Sequence, residues 1–216
     1  MKIKNAVICA AGIGSRLGLD MPKCLVKIGN HKLIYYLLKV LEDVPNIRIV
    51  VGFKEEEVIE YVRSIRNDVI FVRNPDYRTT TNSYSLYLGS YDLSEPFINI
   101  DGDMYIDKKN YNLFLNQIIQ GENLIGITKA YTEEPVFVQL NKEGKVIKFS
   151  REKISEYEWT GIAYFNKIRI SKEGHYVYQE LEKFLPIQAC EIECYEIDTP
   201  QDLDYVSNKI DLHENQ

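Results

Sequence analysis

The residues best suited to chemistry lie near the start of the chain, where Ala10-Ala11-Gly12-Ile13-Gly14-Ser15-Arg16-Leu17-Gly18 precedes Met21-Pro22-Lys23. Glycines at 12 and 14 let the backbone approach phosphate oxygens closely and take positive φ. The N–H groups of such a turn can point inward as an anion-binding nest, and Ser15 adds a hydroxyl donor. Arg16 and Lys23 supply fixed positive charge for a triphosphate whose leaving group gains negative charge during attack. A dinucleotide loop would carry a third glycine where Leu17 stands, and an acidic residue about 20 positions on, where the second strand instead ends Val51-Gly52-Phe53. A Walker loop would need Gly-Lys-Ser/Thr, which does not occur.

A second group is carboxylic: Asp101-Gly102-Asp103 and Asp198. Each is expected to follow a strand, at the carboxyl end of a parallel sheet, where such sheets bind ligands. Mg²⁺ takes hard oxygen ligands and keeps several waters, so two carboxylates plus phosphate oxygens make a sensible site. Taken alone, Asp-Gly-Asp reads as a surface turn, and Asp198-Thr199-Pro200 as a helix start with Thr199 as N-cap and Pro200 in its first turn. Taken with the first loop, both favour a nucleotide site.

These groups can act together only if the intervening chain folds them to one place. Ile3–Cys9, Ile47–Gly52, Val69–Val72 and Phe97–Ile100 read as apolar strands, with helices expected over Leu33–Leu41, Lys54–Ile65 and from Asn82 to Leu88. Strands alternating with helices imply a parallel sheet with helices on both faces. The second half changes character. Asn123–Ala130, Val136–Leu140, Val146–Phe149, Trp159–Phe165 and Glu193–Ile197 read as strands, with Asn141-Lys142-Glu143-Gly144 as a hairpin turn. Glu173–Phe184 and Thr199–Ser207 read as helices. The expectation is one α/β domain over residues 1–216: a Rossmann-like, mixed and mostly parallel sheet, with a small antiparallel lobe from residues 130–160.

Bulk composition narrows the partners. A hydrophobic fraction of 45% and a charged fraction of 27% are those of a globular protein. No apolar run approaches the roughly 18 residues that span a bilayer. A net charge of −6 argues against nucleic acid or an anionic membrane as partner. Cys9, Cys24, Cys190 and Cys194 complete no zinc pattern and read as buried thiols in a reducing, cytoplasmic setting. The three histidines, at 31, 175 and 213, are assigned no catalytic role.

The first loop resembles the signature of the nucleotidyltransferase family that includes sugar-1-phosphate nucleotidylyltransferases and bacterial phosphocholine cytidylyltransferases. The resemblance continues through Val51-Gly52-Phe53, Asp101-Gly102-Asp103, Trp159-Thr160-Gly161-Ile162 and Glu196-Ile197-Asp198-Thr199-Pro200-Gln201-Asp202-Leu203, and so covers nearly the whole chain in order. One departure is that only Leu17 to Met21 separate the arginine from Pro22-Lys23, so the loop is shorter than in many relatives. The resemblance implies a nucleoside triphosphate substrate, Mg²⁺ as cofactor with Asp103 and Asp198 as its ligands, and attack by an acceptor phosphate on the α-phosphorus. Nucleotide contacts fall on Ala10, Ala11, Gly12, Gly14 and Ser15, with Asp101 either supporting the site or bonding the nucleotide sugar. Lys23 and Arg16 steady the phosphates.

The stretch Tyr77-Arg78-Thr79-Thr80-Thr81-Asn82-Ser83-Tyr84-Ser85-Leu86 resembles the base-reading segment of choline-phosphate and aminoethylphosphonate cytidylyltransferases, which favours CTP and places Asn82 and Ser83 at the base. Helix capping by Thr81 or Asn82 is the structural alternative. Lys153, in Phe149-Ser150-Arg151-Glu152-Lys153, stands where relatives grip the acceptor phosphate. Trp159 is either core or a ring for an ammonium head group. The expected acceptor is phosphocholine or a related phosphate or phosphonate. A sugar-1-phosphate enzyme and a non-catalytic nucleotide-binding regulator are the alternatives, and a homo-oligomer is compatible with any of them.

Overall fold

The computed structural model describes residues 2–166 and 168–214, except the side chains of residues 211–214. In chain order the first half runs β1 (Asn5–Ala10), a short hairpin of β2 (Lys27–Ile28) and β3 (His31–Lys32), α1 (Leu33–Val40), β4 (Asn46–Val51), α2 (Glu55–Ile65), β5 (Val69–Arg73) and α3 (Asn82–Ser90). Then follow β6 (Phe97–Asp101), β7 (Met104–Ile106), α4 (Lys108–Asn116), β8 (Leu124–Lys129), β9 (Phe137–Leu140), β10 (Lys145–Ser150) and β11 (Tyr157–Phe165). The chain closes with α5 (Val177–Glu182), β12 (Ile187–Glu191), β13 (Cys194–Glu196) and α6 (Pro200–Glu214).

Nine strands form one sheet in the order β5-β4-β1-β6-β11-β8-β12-β10-β9. The half β5-β4-β1-β6 is wholly parallel. Only β10 and β11 run against the other seven strands, so the sheet is mixed and mostly of one direction. Because β9 also pairs with β11, the half built from β11, β8, β12, β10 and β9 curls back on itself. The lobe read as an antiparallel insertion is thus part of the main sheet. Its hairpin turns as expected: Gly144 has φ 76°, and Asn141 Oδ1 accepts from the N–H groups of Glu143 and Lys145 at 3.0 and 2.9 Å.

Strand alternation explains the layers. On β1, Ala6, Ile8 and Ala10 face a core built with α1, α2 and α4, while Val7 faces the opposite core with Leu86 of α3 and Val177 and Leu181 of α5. A third cluster joins Leu17 of the first loop to Val26, Ile28, Leu33, Ile197, Val206 and Ile210, which fastens α6 behind that loop. No described helix is long and apolar enough to cross a membrane. All four cysteines are free, three buried and Cys9 half-buried.

Several sequence expectations need correction. The α4 helix and strands β7 and β12 went unread. The strand placed over Glu193–Ile197 is β13, and it pairs antiparallel with β7 in a separate two-stranded sheet. The parallel partner of β8 is β12 instead. The helix placed over Glu173–Phe184 begins only at Val177, because Gly174 closes a turn on the carbonyl of Ser171 and lies against Ser83 and Glu180.

Gly89 lets α3 lie directly on the sheet, since a Cβ there would fall 2.5 Å from Val7 Cγ1 and 2.8 Å from Val50 Cγ2. Alanine is about 1 kcal/mol the better helix former, but overpacking a fixed core costs about 1–3 kcal/mol. Gly89→Ala is therefore expected to destabilise the protein by about 1–2 kcal/mol, read as a lower urea midpoint at unchanged slope.

Candidate active site

The first loop is held at its start by backbone groups just past two of the parallel strands. Phe53 N–H, just past β4, donates to Ala11 O at 3.1 Å, and Gly102 N–H, just past β6, donates to Cys9 O at 2.9 Å. Gly102 is needed there, because a Cβ would meet Cys9 O at 2.8 Å. A Cβ at Gly12 would meet nothing within 4 Å, so its backbone faces open space. Gly14, at φ 68°, carries the Lys23 stem across it, and a Cβ there would fall 2.5 Å from Lys23 Cγ. At the loop's far end Lys54 Nζ pairs with Asp20 Oδ2 at 2.9 Å, which ties this short loop to the start of α2.

Ala10, Gly12, Gly14, Ser15, Arg16, Lys23 and Asp103 line one cavity. Lys23 Nζ lies 2.9 Å from Asp103 Oδ2 and also contacts Asp198 Oδ1. Arg16 bridges Asp198 Oδ2 at 2.5 Å and Glu134 Oε2 at 3.0 Å. Both cations expected to steady phosphate therefore converge on Asp198, and Lys23 also reaches Asp103, the other aspartate expected to hold metal. Lys23 and Asp198 are largely enclosed, whereas Arg16 is half exposed.

The two aspartates meet by a route the sequence did not show. Asp198 follows β13 and not a strand of the main sheet; the β7–β13 pairing brings it to Asp103, and Ile197 N–H donates to Asp103 O at 2.9 Å. Thr199 caps α6 as read, through Asp202 N–H to its Oγ1 at 3.2 Å. Asp202 Oδ2 accepts in return from the N–H groups of Asp198 at 3.1 Å and Thr199 at 2.8 Å. Asp202 thus fixes the backbone of Asp198.

Glu196 is the site residue missed by sequence reading. Its carboxylate and those of Asp103 and Asp198 each offer an oxygen within 4.8 Å of the others. The spacing Glu196-x-Asp198 at the end of a strand carries that signal, because alternate strand residues share a face. Burial, then the charge of Asp103, pushes the Glu196 carboxyl up to about 7. Three hard oxygen donors gathered around the Lys23 ammonium fit a divalent cation such as Mg²⁺.

Asp101, the last residue of β6, lies behind this group. Burial, reinforced by Asp103 and Glu196, holds its carboxyl well above the usual range. Gly161, at φ 81°, sits in a bulge of β11 against this carboxylate, where a Cβ would fall 2.7 Å from Asp101 Oδ2. Asn99 Nδ2 holds the bulge through Gly161 O at 3.1 Å.

Beside the loop, a second cavity is lined by Ala11, Gly12, Asn74, Tyr77, Asn82 and Asp101. Asn82 opens α3 and faces this space; Ser83, one residue on, is fully buried with its hydroxyl against Gly174 and does not. The capping alternative is not observed: neither Thr81 nor Asn82 caps α3 by its side chain, and the Thr81 hydroxyl donates to His175 O. A third cavity, continuous with the carboxylates, is walled by Thr132, Glu133, Glu134, Arg151, Trp159, Tyr176 and Tyr178. From the segment expected to grip the acceptor, the cation that reaches this wall is Arg151, placed 5.0 Å over the Tyr176 ring and 5.7 Å over Tyr178. Lys153 is exposed and lines none of these cavities. Trp159 is half-buried at the wall, edge-on to Phe149. His31 and His175 line none of the three, and the His213 side chain lies outside the described residues.

Residues 6–147, well over half of the chain, match the family described as the MobA-like NTP transferase domain. The chain belongs to that family. It is accordingly a nucleotidyltransferase. Its fold is that of a solved Streptococcus pneumoniae protein described as CTP:phosphocholine cytidylyltransferase, with a TM-score of 0.79 at 25% identity, covering 97% of this chain and 100% of that one. A solved inositol-1-phosphate CTP transferase from T. maritima shares the fold at a TM-score of 0.80, with 21% identity and 97% of each chain covered. In sequence this nucleotidyltransferase is 25% identical to an Aquifex aeolicus (strain VF5) protein named bifunctional IPC transferase and DIPP synthase, over 94% of this chain and 50% of that protein. The chain spans about half the length of that curated relative or less for the next ones it matches.

Gly14→Ala forces both a strained φ and displacement of the Lys23 stem. In this nucleotidyltransferase it is expected to weaken nucleoside triphosphate binding about ten-fold or more, measured by calorimetry, while thermal unfolding stays cooperative.

Proposed function

We propose that this nucleotidyltransferase moves CMP from CTP to a small phosphorylated acceptor, phosphocholine or a related phosphate or phosphonate, and releases pyrophosphate. The observation that carries the reading is the cluster at the mouth of the glycine loop in which Lys23 is ion-paired with Asp103 and Asp198, and Arg16 with Asp198. The preference for CTP is supported by likeness to the S. pneumoniae protein and by Asn82 facing the cavity beside the loop.

In this reading the loop N–H groups and Ser15 cradle the triphosphate while Lys23 and Arg16 turn from the aspartates to its oxygens. Asp103, Asp198 and Glu196 would hold Mg²⁺, which would supply charge neutralisation to the triphosphate. An acceptor phosphate oxygen forms the new bond to the α-phosphorus, and the bond to the pyrophosphate oxygen breaks. No side chain is a covalent nucleophile; the chain contributes placement and fixed positive charge. Arg151, at the wall, takes the acceptor-phosphate role that the resemblance gave to Lys153. The rings of Trp159, Tyr176 and Tyr178, with Glu133 nearby, suit an acceptor that carries an ammonium group.

The test is pyrophosphate release over a matrix of nucleotides and phosphorylated acceptors with Mg²⁺. CTP with phosphocholine or a close analogue is expected to give the highest rate; release only with a sugar 1-phosphate, or binding without release, rejects this reading. Lys23→Ala and Asp103→Asn are expected to lower kcat/KM by about 10²- to 10³-fold with the fold intact by circular dichroism. Arg151→Ala is expected to raise the acceptor KM well above any effect of Lys153→Ala.

A further inference from the structure

The segment between β8 and β9 walls the acceptor cavity through Thr132, Glu133 and Glu134. It is seated from beneath by Glu158, a carboxylate on β11 that is only 2% exposed. Glu158 Oε1 accepts from the N–H groups of Tyr131 at 3.2 Å and Thr132 at 3.3 Å, and its Oε2 accepts from Thr132 Oγ1 at 2.7 Å. Charge-assisted hydrogen bonds of this kind are the strong ones, so the turn at Tyr131 has little freedom.

That turn aims Tyr131 at β13. The Tyr131 hydroxyl accepts from Glu196 N–H at 2.8 Å and donates to Cys194 O at 3.4 Å. β13 is three residues long and pairs with β7 alone among the described strands. The hydroxyl therefore does for the open side of β13 what a third strand would do. Neither Tyr131 nor Glu158 lines the cavities of the site, so both act through the residues they hold.

We propose that Tyr131, seated by Glu158, is a positioning residue for the metal carboxylates. It fixes the backbone of Glu196 opposite Met104, and with it holds Asp198, two residues on, beside Asp103. The inference rests on reading Asp103, Glu196 and Asp198 as a divalent-cation site. It also links two parts of the site, because Glu134 of the same segment pairs with Arg16.

Tyr131→Phe deletes the hydroxyl and keeps the ring. The full chain is titrated with Mn²⁺ by the paramagnetic resonance of the free ion, and pyrophosphate release is followed against Mg²⁺ concentration, with Asp103→Asn in parallel. Tyr131→Phe is expected to weaken Mn²⁺ binding about ten-fold and to raise the Mg²⁺ needed for half activity by a similar factor. Excess Mg²⁺ is expected to restore kcat, with the CTP KM changed by no more than about two-fold. Unchanged Mn²⁺ affinity, or a kcat that Mg²⁺ does not restore, overturns the proposal. If Asp103→Asn binds Mn²⁺ as the wild type does, the metal-site reading itself fails. Should Tyr131→Phe not fold, Glu158→Gln decides on the same scale: weaker Mn²⁺ binding supports the proposal and unchanged binding overturns it.

Discussion

Lys23 and Arg16 share Asp198, Lys23 also pairs with Asp103, and the rest of the molecule is arranged so that these four charges meet. Glycine at position 14 makes room for the lysine stem, Leu17 anchors the arginine's turn in the cluster under α6, and the β7–β13 pair carries one aspartate to the other. Two charges about 4 Å apart near a protein surface attract by roughly 4 kcal/mol before desolvation and entropy are counted. The exposed Arg16–Glu134 pair is worth only about 0–1 kcal/mol, and for the enclosed Lys23–Asp198 pair the cost of desolvation offsets the attraction. Such pairs hold the groups in place without fastening them. A triphosphate can take the cations and a divalent ion the carboxylates, so one exchange of partners would assemble both halves of the reaction.

The main sheet supplies the rigid base for that exchange. Its parallel half places the glycine loop and Asp101 side by side, because Cys9 of β1 is in register with Asp101 of β6. The other half curls so that β11 passes over Asp101, and a bulge at Gly161 lets it do so without a side chain in the way. The loop that bears Glu134 and Tyr131 leaves this curled half and reaches both Arg16 and β13. The cavity wall at Thr132–Glu134, Arg16 and the strand leading to Asp198 are thereby parts of one connected framework.

Much of this was legible in the sequence, and the exceptions have physical reasons. Strands β1, β4, β5 and β6 are short apolar runs between turn residues, which is the strongest strand signal in an α/β chain. Helix α4, Lys108–Asn116, buries only Tyr111 and Phe114, too thin an apolar stripe to read. Strand β12, Ile-Gln-Ala-Cys-Glu, buries two of its five residues and was hidden beside the equally apolar stretch after it. Asp103 and Asp198 were visible through motif and position. Glu196 was not, since the Glu196-x-Asp198 spacing marks a shared face only once the strand and its pairing with β7 are known. Adjacent residues on a helix point about 100° apart, which is why Asn82 reaches the cavity and Ser83 is buried. The choice between Arg151 and Lys153 depends on a loop's path, which spacing does not encode.

Such an exchange of partners would make nucleotide and metal binding interdependent, and this can be measured directly. Calorimetric titration of CTP into the protein with Mg²⁺ and with chelator tests it in one experiment. The account predicts binding tighter by about ten-fold or more with Mg²⁺, because the aspartates release Lys23 and Arg16 only when a divalent ion takes their place. Equal CTP affinity in the two conditions would contradict it.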